Sequence, residues 1–158
     1  MKLLTFPSAV AVLAAAFASA ALLPGAARAD DAGLAGTMAT WSLKISAPAE
    51  TLKSFSSSTT PAQALKASNR LSAVASQAKL AIARQTASSA KGRNLKPLGV
   101  RAFGDFAQSG NLLASAIRGL QAGEPNAQIT AKVNKAVRLA KEGSTRLTRA
   151  AKIIPQLV

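Results

Sequence analysis

The chain has 158 residues, of which 20 are Lys or Arg and only six are Asp or Glu, and it contains no Cys, His or Tyr. Without Cys it forms no disulfide, and without Cys or His it lacks the side chains of most nucleophilic catalytic sites and zinc sites. The formal net charge of +14 attracts polyanions and anionic lipid headgroups but does not specify a fold.

The first 29 residues have the pattern of a secretory signal peptide. Lys2 provides a positive start, residues 9–23 form an uncharged apolar run, and Ala27-Arg28-Ala29 places small residues where a signal peptidase reads them. We therefore expect cleavage before Asp30 and export to the periplasm, the cell envelope or the extracellular space. The alternative is an uncleaved membrane anchor, but the run is short for a span of about 20 residues.

Residues 30–158 are expected to fold as a single all-α domain. They are rich in Ala, keep 18 cations against six acids, and contain no second apolar segment long enough to span a bilayer. Apolar residues recur at helical spacing, and no stretch of useful length alternates as a strand does. We predict an antiparallel up-down-up-down four-helix bundle with helices at about 31–56, 60–87, 98–121 and 126–154.

The first predicted helix follows a heptad pattern. Its apolar positions step alternately by four and three residues, through Leu34, Met38, Trp41, Ile45, Pro48, Leu52 and Phe55. Asp30 and Asp31 suit the helix N-terminus, where the helix dipole favours negative charge. Because Pro48 lies on the apolar seam, we predict a kink near residues 46–47. Trp41 is expected in the core.

The next two helices have recognisable start and stop signals. Thr60, Pro61 and Gln63 match an N-cap, a first-turn proline and a capping box. Residues 88–97, which contain one Gly and end in Pro, are predicted to connect the second helix to the third. In the third helix the apolar face includes Phe103 and Phe106, and Gly123 and Pro125 indicate its end and the next start.

The fourth predicted helix carries most of its cations on one half and an apolar stripe on the other. Pro155 ends it. The stripe resembles a bundle seam more than a lipid-inserting face, because it lacks Trp and Phe and contains Ala140 and Ser144.

The composition excludes most chemistry that helical bundles support. Haem needs His, Cys, Met or Tyr as its axial ligand, and after residue 29 only Met38 is of these types. A di-iron site needs inward-facing Glu residues together with Glu-x-x-His motifs, and the chain has three scattered Glu and no His. No phosphate-binding Gly loop occurs, and Asp105 and Glu142 are expected to pair with surface cations. We therefore predict a protein that is not an enzyme and that holds no metal or cofactor.

An up-down bundle would bring the second connection to the same end as both termini. We call the cations of this end the basic tip. Its eight residues are the candidate anion-binding residues Arg84, Lys91, Arg93, Lys96, Arg101, Arg146, Arg149 and Lys152. The alternative is a solvated face only, since cations near helix C-termini suit the helix dipole.

These observations predict an exported, non-enzymatic helical protein that binds an anionic envelope polymer or lipid headgroups through the basic tip. One alternative is a membrane-active or host-directed secreted factor whose C-terminal amphipathic helix leaves the bundle. Another is a structural or chaperone-like module that binds a partner protein. We do not expect specific nucleic-acid binding, because no aromatic residue accompanies the basic connection.

Overall fold

The computed structural model describes residues 29–54 and 59–157, which form four α-helices and a short 3₁₀ helix. The helices are α1 (Ala29–Lys53), α2 (Pro61–Arg84), α3 (Ala90–Gln121) and α4 (Asn126–Ile153), and the 3₁₀ helix is Ile154–Gln156. No strand occurs in these two stretches. The all-α four-helix prediction is confirmed. The predicted leader lies outside the described residues except for Ala29, and so does Phe55.

α1 runs without a break through the buried Pro48. The heptad positions Leu34, Met38 and Ile45 are buried, as a bundle seam requires. Trp41 is only half-buried against this core, and the Lys44 ammonium lies 4.4 Å from its ring centroid. The kink and the complete up-down-up-down order stay predictions.

α2 begins with the predicted capping box. Thr60 Oγ1 accepts a hydrogen bond from Gln63 N–H at 3.3 Å, and Gln63 Oε1 accepts one from Thr60 N–H at 2.9 Å. Pro61 occupies the first helical position, where a missing N–H costs no intrahelical bond. Three residue types at fixed spacing therefore located this helix start correctly.

α3 begins at Ala90, eight residues earlier than predicted, so the connection comprises residues 85–89 rather than 88–97. Ser89 is the N-cap, and its hydroxyl accepts a hydrogen bond from Gly92 N–H at 2.9 Å. Pro97 lies inside the helix, where it removes one backbone donor without ending the helix. The buried neighbours Leu95 and Gly99 hold this segment against the core.

The turn between α3 and α4 follows the predicted Gly-stop and Pro-start pattern. Gly123 has φ +75°, a left-handed conformation that glycine adopts without a Cβ clash. Glu124 N–H donates to Gly119 O at 2.8 Å, which satisfies a carbonyl of the last turn. Pro125 then precedes Asn126, the first residue of α4.

α3 packs closely against both α2 and α4, and α1 packs mainly against α2. A Cβ on Gly110 would lie 2.7 Å from Ser68 O and Ser72 N in α2. A Cβ on Gly143 in α4 would lie 2.9 Å from Ala102 O in α3. These glycines therefore let the backbones of neighbouring helices approach closely.

The core is small-residue-rich with two central aromatic rings. Phe103 and Phe106 are almost fully buried, as predicted, and their rings meet edge-on with centroids 6.4 Å apart. Many of the surrounding core residues are Ala, so the helices carry little side-chain bulk between them.

Candidate anion-binding site at the basic tip

The structure brings the start of α3, the end of α2 and the end of α4 together. Lys96 Nζ donates to Gln85 O at 2.7 Å, which joins α3 to the residue after α2. Lys91 Nζ donates to Gln156 O at 3.1 Å, which joins α3 to the 3₁₀ helix that follows α4. The eight predicted cations lie at the end of α2, within residues 90–101 of α3 and within residues 146–153 of α4.

Three of the eight cations are engaged in holding the backbone. Besides Lys91 and Lys96, Arg93 Nη1 donates to Ser88 O at 2.7 Å. Gln85 O and Gln156 O lie at helix C-termini, where carbonyl groups have no intrahelical partner and a cation suits the helix dipole. Ser88 O lies before the N-terminus of α3, so Arg93 satisfies this carbonyl without that benefit. The hydrogen bonds of these three side chains to backbone carbonyl groups therefore explain their presence at the tip without a bound ligand.

Arg146 is also engaged. Its Nη1 atom pairs with Asp105 Oδ2 across the α3–α4 interface. Its Nη2 atom lies 3.5 Å from Oε2 of Glu142, which is also on α4. Burial raises the pKa of the Asp105 carboxyl above its ordinary value, Arg146 lowers it, and Glu142 adds a smaller upward effect. This ion pair links α3 to α4.

The other four cations of the tip are exposed. They make no hydrogen bond or ion pair with any part of the chain that the structure describes, and they are Arg84, Arg101, Arg149 and Lys152. Their charge is available to a ligand from solvent. The predicted set of eight therefore divides into four residues with partners inside the fold and four exposed residues without a partner among the described residues.

A buried acid at the tip was not predicted in this role. Asp31 is 1% exposed, and its carboxylate accepts hydrogen bonds from Ser88 N–H at 3.0 Å and Ser89 N–H at 3.2 Å. It thus joins α1 to the connection before α3. The sequence signals only an acid in the first turn of a helix, because its partners are 57 and 58 residues away.

The opposite end of the bundle carries charge as well. Glu124 Oε2 lies 2.5 Å from Lys132 Nζ, close to the α3–α4 turn. Lys66 and Arg118 are exposed near the same end. Exposed cations therefore lie at both ends of the bundle.

A shallow cleft of about 350 Å³ lies between the end of α1 and the start of α2. Its lining combines hydroxyl, amide and cationic side chains and consists of Thr51, Ser54, Thr59, Gln63, Lys66, Ala67 and Arg70. Gln63 already serves the capping box of α2. The cleft is separate from the basic tip.

The described helices include none with the length and apolar character that crossing a bilayer requires. Across residues 29–54 and 59–157, no three or more Asp or Glu side chains cluster in a way that could hold a metal ion.

Comparisons with known protein families, with curated protein sequences and with solved structures gave no match for this chain.

Proposed function

We propose that the protein is an exported, non-enzymatic helical bundle that docks on an anionic component of the cell envelope through its basic tip. The observation that carries the proposal is the group of four exposed cations at this tip, which are drawn from three helices and have no internal partner among the described residues. Export is inferred from the signal-peptide pattern of residues 1–29.

The charge distribution supports salt-sensitive docking of modest strength. Each Lys or Arg near an anionic surface contributes roughly 1 kcal/mol, so four free cations give about 4 kcal/mol at low salt. Four acids of the chain are engaged internally: Asp31 accepts from two backbone amides, and Asp105, Glu124 and Glu142 lie in ion pairs. Little negative charge is therefore left to oppose approach to a polyanion.

The packing of α4 favours docking with the fold intact. Its apolar face, including Ile129, Val133 and Leu147, is buried in the bundle. Release of α4 onto a membrane would expose the facing surface of α3, including Phe106, which lies next to Gly143 of α4. Docking through the exposed cations requires no such loss of apolar burial.

The test is co-sedimentation of the processed chain, residues 30–158, with phosphatidylglycerol vesicles. We expect binding that falls as salt rises from about 10 mM to about 500 mM, because screening shortens the reach of surface charges. Far-UV circular dichroism should show unchanged helicity, and entrapped dye should stay inside.

Two outcomes would overturn the proposal. Absence of binding at low salt would leave the tip as a solvated face. Binding with loss of bundle packing and dye leakage would instead favour a membrane-active protein that uses the C-terminal amphipathic helix. Vesicles of neutral phosphatidylcholine are the matched control, because docking by charge predicts no binding to them.

A further inference from the structure

Within the proposed docking function, we propose that Arg101 and Arg149 form a two-pronged site for a phosphate group. The two arginines lie on facing helices, both exposed and both without an internal partner among the described residues. This inference assigns the recognition of one chemical group to two of the eight cations.

The position of the pair follows from the Asp105–Arg146 ion pair. Residues three or four apart share a helix face. Arg101 precedes Asp105 by four residues on α3, and Arg149 follows Arg146 by three residues on α4. Both steps lead toward the tip, about 6 Å and about 4.5 Å along the two helix axes. The arginines therefore border the same rim of the α3–α4 seam.

The acids of this region lie behind the arginine pair. Asp105 and Glu142 both contact Arg146, and both are displaced along their helices away from the tip relative to Arg101 and Arg149. The spacing between Arg101 and Asp105 would permit an intrahelical ion pair, but the Asp105 carboxylate pairs with Arg146 instead. Arg146 thus takes up the charge of the nearby carboxylates, and the guanidinium groups of Arg101 and Arg149 have no carboxylate partner among the described residues.

Phosphate is the group that suits this arrangement. Each guanidinium presents a planar fork of donors that matches phosphate oxygens, and a tetrahedral phosphate can accept from two forks at once. A bridging anion also removes the repulsion between two cations on one rim. Lys152 follows Arg149 by three residues and extends the positive row toward the chain end.

The experiment compares two double variants of equal charge. R101Q/R149Q removes the proposed site, and R70Q/R118Q removes two arginines that are also exposed and lack internal partners among the described residues. On phosphatidylglycerol vesicles at low salt, we expect R101Q/R149Q to weaken binding roughly 30-fold, and R70Q/R118Q about threefold or less. Circular dichroism should show both variants fully helical, because all four positions are exposed.

A vesicle-free measurement tests the site independently of docking. Titration of the processed wild-type chain with inorganic phosphate should shift the side-chain Nε–H NMR signals of Arg101 and Arg149 and leave that of Arg70 in place. Phosphate-specific shifts without vesicle binding would support the site and overturn the docking function. Vesicle binding weakened equally in both double variants would overturn the site and leave charge-based docking standing.

The source of the phosphate is resolved by competition. Soluble poly(glycerol phosphate) that displaces the wild-type chain from vesicles would assign the site to an envelope polymer, and failure to displace it would assign the site to lipid headgroups.

In the NMR titration, sodium sulfate at equal ionic strength is the control anion. Shifts of the Arg101 and Arg149 signals that are equally large with sulfate and with phosphate would overturn phosphate recognition.

Discussion

Both ends of the bundle hold a carboxylate against a helical glycine, and the two carboxylates differ in nearly every other respect. At the tip, Asp31 lies against Gly92 and accepts hydrogen bonds from two backbone amides while almost fully buried. At the other end, Glu124 lies against Gly119 and pairs with Lys132, with 35% of its side chain exposed. A buried carboxylate that accepts hydrogen bonds from backbone amides holds two elements together, whereas a solvated carboxylate contributes little to the free energy of unfolding.

Removal of each carboxylate should expose this difference most strongly. Asp31→Ala leaves two amide donors of the α2–α3 connection without their acceptor, and we expect the free energy of unfolding to fall by about 3 kcal/mol. Glu124→Ala removes a partly exposed ion pair and should cost less than about 1 kcal/mol. Urea unfolding followed by circular dichroism measures both. Equal losses in the two variants would contradict the proposed role of Asp31.

The glycines give a second, slightly smaller contrast. A Cβ on Gly92 would meet the fixed Asp31 carboxylate, so Gly92→Ala should destabilise the fold by roughly 2 kcal/mol. A Cβ on Gly119 would meet only the end of the Glu124 side chain, which can turn away. Gly119→Ala should then be neutral or stabilising by up to about 1 kcal/mol, because Ala favours helix over Gly. Midpoints of urea unfolding distinguish these outcomes.

A double variant tests whether the clash at Gly92 is with Asp31 itself. If it is, the combination of Asp31→Ala with Gly92→Ala should cost less than the sum of the two single changes, since the smaller side chain leaves space for the new methyl group. Additive costs would instead mean that Gly92 is needed for another reason, such as its position in the first turn of α3.

Much of the fold followed from local signals in the sequence. The capping box at Thr60 and the Gly123–Pro125 turn act within a few residues, and the structure has both as predicted. The start of α3 was misplaced because Gly92 and Pro97 are usual loop residues. In the structure the helix begins after the N-cap Ser89 and continues through both Gly92 and Pro97.

The sequence predicted where the candidate site lies but not which of its cations have partners inside the fold. The lengths of the helices and connections indicated that the ends of α2 and α4 would meet the start of α3. Sequence spacing could not show that Lys91, Arg93 and Lys96 would donate to carbonyl groups, because the acceptors depend on how the chain ends pack. Nor could it reveal the bonds of Asp31 to residues 88 and 89, which only the tertiary fold brings near.

Asp105 is less buried than Asp31 and more buried than Glu124, and its substitution is expected to have the smallest effect on the free energy of unfolding. It is half-buried, and its partner is the Arg146 cation rather than backbone amides. Because burial raises its pKa above the ordinary value, the folded chain holds more protons than the unfolded chain between the two pKa values. The contribution of Asp105 to the free energy of unfolding therefore falls as pH rises through that interval.

Asp105→Asn removes this titration and keeps the shape of the side chain. We expect the difference in the free energy of unfolding between wild type and Asp105→Asn to decrease as pH rises from about 3 to about 7, with most of the change above the ordinary Asp value of about 4. Urea unfolding of both proteins across this range measures it. A difference that grows with pH would mean that the attraction of Arg146 exceeds the cost of burial, and Asp105 would then resemble Asp31, as a carboxylate stabilised in its charged form.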